Sequence, residues 1–431
     1  MTLTGRTALV AALGALVVGL LLPSWTGVMA VTVLIAVAVA VDLAFAGPVR
    51  PLSFARSGDT TVRLGEAASV TLTVHNPSGR RVTGMLRDAW PPSTGTAAQR
   101  HNLAVPPGEG RRVTTHMVPT RRGDRPAYRV TVRSLGPLGL AGRQGSHTVP
   151  WTVRVLPAFP SRRLLPSKLE RLRELDGRSA VLTRGRGTEF DSLREYVPGD
   201  DVRSIDWRAT ARDQSVVVRT WRPERDRHIL VVLDTARTSA GRIADAPRLD
   251  TSMDAALLLT AVAARAGDRV DFLAHDRRVR AEVRGASRTT VLPSFVQAMA
   301  LLEPALVESD APHLVAEVIR RAKRRSLVVL LTGLDAEAVR EGLLPVLPQL
   351  TSRHEVVIAA VSDPALTAMA GERGTPEAVY AAAAAERELH ERRTTSAELR
   401  RHGVTVVDAP PGDLASRLTD TYLALKLASR L

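Results

Sequence analysis

From His228 onward the chain carries runs that are apolar on nearly every residue, each closing on or near an acid: HILVVLD, DRVDFLAHD, SLVVLLTGLD, HEVVIAAVSD and GVTVVDAP. A strand with one face in water alternates apolar and polar residues. Runs like these belong to strands buried on both faces, and they call for a parallel sheet covered by helices. Helical stretches lie between them. Asp250 to Ala266 is rich in Ala and Leu, VLPSFVQAMALLEP, PHLVAEVIRRAKRR and AEAVREGLLPVLPQL follow, and DLASRLTDTYLALKLASRL closes the chain. The alternation predicts an α/β domain over residues 227–431 with a mainly parallel sheet. Ligands of such sheets gather at the carboxyl ends of the strands. Those ends carry Asp234, Thr235 and Thr238, then His275 and Asp276, then Thr332 and Asp335, then Asp363. Glu377 to His402, Ala-rich and then alternating Glu and Arg, reads as a largely solvated helix.

The other end of the chain obeys different rules. Thr7 to Trp25 is uncharged, and Gly27 to Ala46 holds one acid, Asp42. Each stretch approaches the roughly 20 residues that cross a bilayer as a helix. Arg6 precedes the pair, and Arg50 and Arg56 follow it. The positive-inside rule therefore predicts a multi-pass arrangement: a hairpin over residues 1–50 in the cell membrane, with the soluble domains in the cytoplasm. Asp42, near the end of its stretch, is expected to reach the interface rather than relay protons. Residues 58–156 alternate with period two between turn clusters such as HNPSGR, PPGEG and LGPLG, which predicts an all-β sandwich of immunoglobulin-like size. Residues 157–226 are expected to link it to the α/β domain. The net charge of +15 comes almost wholly from arginine, and there is no cysteine. Thiol catalysis and disulfides are excluded. The arginines are scattered without an aromatic stripe, so nucleic acid is not the expected partner.

One segment mixes charges with bulky residues: GTEFDSLREYVPGDDVRSIDWRATAR, from Gly187 to Arg212. Its acids are Glu189, Asp191, Glu195, Asp200, Asp201 and Asp206. Its arginines are Arg194, Arg203, Arg208 and Arg212, with Arg184 and Arg186 just upstream. Phe190, Leu193 and Val197 fall on one face of a helix that Pro198 and Gly199 stop. Asp200 or Asp201 then caps a second short helix with Val202, Ile205 and Ala209 as its inner stripe. The reading is a clasp pinned by Trp207 and by ion pairs, with Tyr196 beside it, and its rigid charged surface suits a partner protein. So many arginines hold the acids ionised, which is wrong for a general acid. No nucleophile–base pair, P-loop, HExxH or GxSxG is present, and the chain is expected to be non-enzymatic.

RGRGTEFDSLREYVPGDDVRSIDWRATAR, followed by HILVVLDTART, resembles the Domain of Unknown Function 58 family. The resemblance extends to the paired N-terminal spans, the β domain and RRHGVTVVDAP. It implies a von Willebrand factor A-like C-terminal domain and the company of MoxR-type AAA+ ATPases and other membrane proteins. It implies no enzymatic activity, and a scaffold or adaptor role near the membrane. The fold class expected is two N-terminal transmembrane helices, then an all-β sandwich, then the α/β von Willebrand A-like domain. Such domains hold Mg²⁺ or Mn²⁺ through a D-x-S-x-S loop, a distant Thr and a further Asp. Here the loop is Asp234-Thr235-Ala236-Arg237-Thr238, and the late Asp position holds Gly333 with Asp335 two residues on. The distant Thr position falls near Ser309 or Asp310. Asp234, Thr238 and Asp335 thus form a degenerate metal set, with Arg237 beside it. The competing reading has Asp234 capping the strand end and bonding backbone amides or Arg237, and no cofactor is expected. The functional expectation is a membrane-anchored adaptor for a MoxR-type ATPase, and the alternative is a metal-dependent adhesion-type module.

Overall fold

The computed structural model describes residues 1–431 except 22, 183–188, 213–214, 223–226, 245 and 429–431, with backbone alone at 176–182, 189–192 and 220–222. The chain divides into two units, Met1–Leu156 and Pro157–Leu431.

The first unit opens with a two-residue strand β1 (Thr2–Leu3) and two helices, α1 (Gly5–Leu21) and α2 (Trp25–Phe45). At 1.5 Å per residue, α1 is about 25 Å long and α2 about 31 Å, against a hydrocarbon core of about 30 Å. Among the described residues, α2 is the one helix long and apolar enough to cross a membrane, a test that a signal sequence near an N-terminus also passes. The expected pair of transmembrane helices is therefore corrected to one candidate span and a shorter apolar helix. The sequence reading counted Pro23 to Trp25 toward the stretches, whereas α1 ends at Leu21 and Ser24 caps α2, its hydroxyl accepting from the Gly27 amide at 3.2 Å. The two helices pack closely: a Cβ on Gly14 would lie 2.5 Å from Val31.

Asp42 does not reach an interface. It is buried, and its carboxylate accepts from the backbone amides of Leu138, Leu140 and Ala141. Gly136 lies so close that a side chain there would strike the Asp42 backbone. The LGPLGL turn and the end of α2 are thus locked together.

The strands of this unit are β2 (Ser53–Gly58), β3 (Thr61–Arg63), β4 (Ala68–His75), β5 (Val82–Asp88), β6 (Arg100–Val105), β7 (Gly110–Met117), β8 (Gly123–Pro126), β9 (Val130–Leu135), β10 (Ala141–His147) and β11 (Thr152–Leu156). They form three sheets, ordered β1-β10-β9-β5-β6, β2-β4-β7 and β3-β11-β8. The two-sheet sandwich expected over 58–156 is corrected on this point, and it begins earlier, at Ser53. Strand β4 alternates buried and half-buried residues along its length. It gives Leu72 and Val74 to one apolar cluster and Ala68 and Val70 to a second. Between them sits a buried ion pair that the sequence did not announce. Arg56 donates to both oxygens of Asp88, at 2.6 and 3.1 Å, and Trp90 and Thr115 add donors to Asp88 at 2.9 and 3.1 Å.

The second unit begins with α3 (Leu165–Leu182), then a hairpin of β12 (Glu189–Glu195) and β13 (Val217–Arg222) enclosing a one-turn helix α4 (Trp207–Thr210). The α/β part follows: β14 (His228–Asp234), α5 (Arg237–Ala240), β15 (Arg242–Ile243), β16 (Ala246–Pro247), α6 (Arg248–Arg265), β17 (Arg269–His275), β18 (Val279–Val283), α7 (Val291–Ala300), α8 (Ala311–Arg321), β19 (Leu327–Leu331), α9 (Leu347–Thr351), β20 (Glu355–Val361), α10 (Pro364–Ala370), α11 (Pro376–Arg401), β21 (Thr405–Ala409) and α12 (Pro411–Leu427). Its sheet runs β18-β17-β14-β19-β20-β21, with β18 antiparallel and the others parallel. Leu230, Val232, Val328, Leu330, Val356 and Ile358 share one cluster with α8, α9 and Leu399 of α11. Ile229, Val231 and Leu233 are buried outside that cluster, as period two requires, which leaves them for the face covered by α6 and α12.

Helix α11 is less solvated than its charges suggest. Ala382, Ala385, Arg392, Thr395, Ser396 and Leu399 are buried. Arg392 donates two hydrogen bonds to Asp408 of β21, at 2.7 and 2.8 Å. Segment 157–182 is likewise no loose linker. Ser161 donates to the buried carboxylate of Asp254 in α6, and Lys168 pairs with Asp420 of α12 at 2.8 Å.

Candidate functional site

The carboxyl edge of the sheet collects Asp234, Thr238, Thr332 and Asp335. Asp234 ends β14 opposite His275 of β17. It is buried, with one oxygen accepting from the Ala236 amide at 2.9 Å and the other from the hydroxyls of Thr238 at 3.1 Å and Thr332 at 2.7 Å. Burial pushes its pKa up, and those three donors and the charge of Asp276 modify the shift. Asp335 folds back toward Thr238: a Cβ on Gly333 would lie 2.3 Å from an Asp335 oxygen and 3.2 Å from Thr238. Arg248 approaches Asp335 at 3.6 Å.

This donor set does not fit a divalent cation. Hard cations take six or more oxygens with uncompensated negative charge. Asp234 already receives three hydrogen-bond donors, Ala236 supplies no oxygen, and the guanidinium of Arg248 occupies the vicinity of Asp335. Among the described residues no three His, Cys, Asp or Glu side chains group as metal ligands. The strand-end role expected for Asp234 takes a particular form: it bonds an amide and two hydroxyls, and not Arg237, which turns outward to Glu308 at 2.7 Å. Sequence reasoning placed Thr332 at a strand end without joining it to Asp234, and it missed Arg248. Asp310, beside the expected distant position, caps α8 through the His313 amide.

The charged segment forms a second site. In place of the helix expected over Phe190, Leu193 and Val197 there is a strand, β12, which ends at Glu195, before Val197, and is paired antiparallel with β13. Cross-strand pairing with SVVVRTW outweighs a helical spacing of three apolar residues. Gly187, Arg184, Arg186 and the side chains of Glu189 and Phe190 fall outside what the structure describes. Arg194 pairs with Asp200 at 2.6 Å, and Asp200 also accepts from the Val197 amide. Gly199 takes φ +110°, which closes the turn after Pro198. The Tyr196 amide donates to Val216 at 2.7 Å, and Glu195 lends its carbonyl to Arg194. Asp201 caps the 3₁₀ turn at Val202–Ser204 through the Arg203 amide. Asp206 caps α4 through the amides of Arg208 and Ala209 and pairs with Arg219 at 2.7 Å. These bonds hold the carboxyl groups of Asp200 and Asp206 below the usual carboxylate range.

Two expectations for this segment are corrected. Trp207 does not pin a core, being 68% exposed, and Val202 is 60% exposed rather than on an inner stripe. Leu193 and Val197 are exposed as well. The reason is that Asp200, Asp201 and Asp206 order the turns through backbone caps, so the apolar side chains are not needed to hold the loop. Arg203, Arg208 and Arg212 are exposed beside them.

Comparison with known proteins covers this geometry. The family model described as Protein of unknown function DUF58 matches residues 192–394 of the 431-residue chain. The match takes in both candidate sites, from β12 to the middle of α11. The uncharacterized proteins Rv1480 of Mycobacterium tuberculosis and Mb1516 of Mycobacterium bovis are 27% identical to the chain over 192 residues, 44% of this chain. The chain spans about 60% of the length of these curated relatives. Among solved structures, the CARDB domain of a Pyrococcus furiosus protein is similar at 19% identity and TM-score 0.18, covering 24% of this chain and 86% of that one. The PapD-like domain 7 of human CEP192 reaches 8% identity and TM-score 0.18, over 25% and 86%. Scores this low carry no argument about the DUF58 segment or the rest of the chain.

Proposed function

We propose that the protein is a non-enzymatic scaffold or adaptor, held at the cell membrane through α2, whose docking surface is the β12–β13 hairpin. The observation that carries this is the exposed set Leu193, Val197, Val202 and Trp207, ringed by Arg203, Arg208 and Arg212. Asp200, Asp201 and Asp206 are engaged in caps and internal pairs, so the outward face is apolar and cationic. Exposed Trp among arginines has the chemistry of an interface hot spot. The partner class, a MoxR-type AAA+ ATPase, rests on the family resemblance and on no residue here. No cation precedes α2 closely, while Arg50 and Arg56 follow it, which favours a cytoplasmic location for the residues after α2.

The test is co-purification of the full chain with the AAA+ ATPase of the same organism from mild detergent. We expect Trp207→Ala, folded by circular dichroism, to lose most of the captured ATPase. Equal capture by both forms, or none by either, overturns the reading.

A further inference from the structure

The opposite edge of the sheet holds a cavity of about 640 Å³ that neither candidate site uses. It lies where β19, β20 and β21 begin, and it is lined by Arg325, Arg353, His354, Glu355, Arg401 and His402 among others. The charges do not balance. Arg325 reaches Glu355 at 4.0 Å, which leaves Arg353 and Arg401 without an ion-pair partner among the described residues. Arg353 lies just after α9 and Arg401 is the last residue of α11, so both suit the negative ends of those helices, and their presence alone is explained by helix electrostatics.

His354 is not explained that way. It is 5% exposed, and neither ring nitrogen has a hydrogen-bond partner. A buried imidazole with both nitrogens unmatched is costly, and a group that both donates and accepts would remove the cost. Burial, with Arg353 and His228 nearby, lowers the His354 pKa, so at neutral pH the ring offers one N–H and one lone pair.

We infer that this cavity is a binding site for a phosphate-bearing anion, with Arg353 and Arg401 pairing its charge and His354 as the buried hydrogen-bond partner. Guanidinium forks match phosphate oxygens in pairs. The volume lies within the range of small-molecule sites. The inference is independent of the docking reading of the hairpin.

The test uses the full chain in detergent micelles at fixed ionic strength. Thermal unfolding is titrated with inorganic pyrophosphate, ADP and a short-chain phosphatidic acid, with sodium chloride as the control. We expect a saturable rise in Tm with at least one phosphate and none with chloride. The tightest of the three distinguishes an inorganic, nucleotide or lipid source. Arg353→Gln with Arg401→Gln should weaken half-saturation by at least about tenfold, the scale of one charge-assisted hydrogen bond. His354→Gln, which keeps a donor and an acceptor, should weaken it less than His354→Leu. No saturable shift with any of the three, or the same half-saturation in the arginine double variant, overturns the site.

Discussion

Asp234 separates two chemistries at the head of the sheet. As a metal ligand it would have to be ionised. As found, it is buried among two hydroxyls and an amide, and its pKa is raised. A raised carboxyl pKa means that the folded state binds a proton more tightly than the unfolded state, so stability falls as pH rises through the folded value. Asp234→Asn keeps an acceptor for the Ala236 amide and lets the two hydroxyls reorient, and it removes the titration. We expect the variant to gain in stability on wild type as pH rises above the ordinary carboxylate range, by no more than about 1.4 kcal/mol per pH unit. A difference that stays flat over that rise would contradict the protonation account. The sequence exposed Asp234 and Thr238 through a loop pattern, because pattern carries spacing. It hid Thr332 and Arg248 as partners because those meetings are made by strand register between β14 and β19 and by the start of α6.

Elements show where local pattern wins and where it loses. The apolar runs at Leu230–Leu233, Leu327–Leu331 and Val356–Val361 are strands, since continuous burial leaves period two nothing to alternate against. FDSLREYV reads as helix from the spacing of Phe190, Leu193 and Val197, and it is strand as far as Glu195 because a second β-rich run lies close enough to pair. Helix α11 was legible in extent and not in burial: Arg392 faces inward because Asp408 awaits it. For the hairpin turn we expect Asp206→Ala to speed amide hydrogen exchange at Arg208 and Ala209, which lose their cap acceptor. In wild type the same amides should exchange faster, relative to an unfolded reference at each pH, as pH drops below the ordinary carboxylate range. The depressed pKa values of Asp200 and Asp206 mean that their contribution is present above the unfolded value and lost on protonation. Protection that does not change on that descent would mean the caps do not hold the turn.

At the scale of the molecule, each unit has its own cores, one set around β4 and one on the sheet of β14. The Arg56–Asp88 pair lies wholly inside the first. Removing one partner of a buried pair leaves an uncompensated charge, at about 3–5 kcal/mol. Calorimetry of the full chain should therefore show two transitions, with Asp88→Ala lowering one and leaving the other in place. A single transition shifted as a whole would mean that the units unfold together. The sequence reads differently on the two sides of the division at residue 157, because Leu156 ends an alternating strand and Pro157 begins a different composition. It had no means of showing that Thr2 and Leu3 pair with Gly142 and Ala141, since two residues hold no period.

That pairing has a consequence for biosynthesis. Thr2 bonds a residue 140 positions later in the chain. At about 5–20 residues per second, a ribosome makes the edge strand roughly 7–28 s before its partner exists. Throughout that interval the first residues are held by nothing in the finished sheet, so the five-stranded layer is completed by its earliest-made strand.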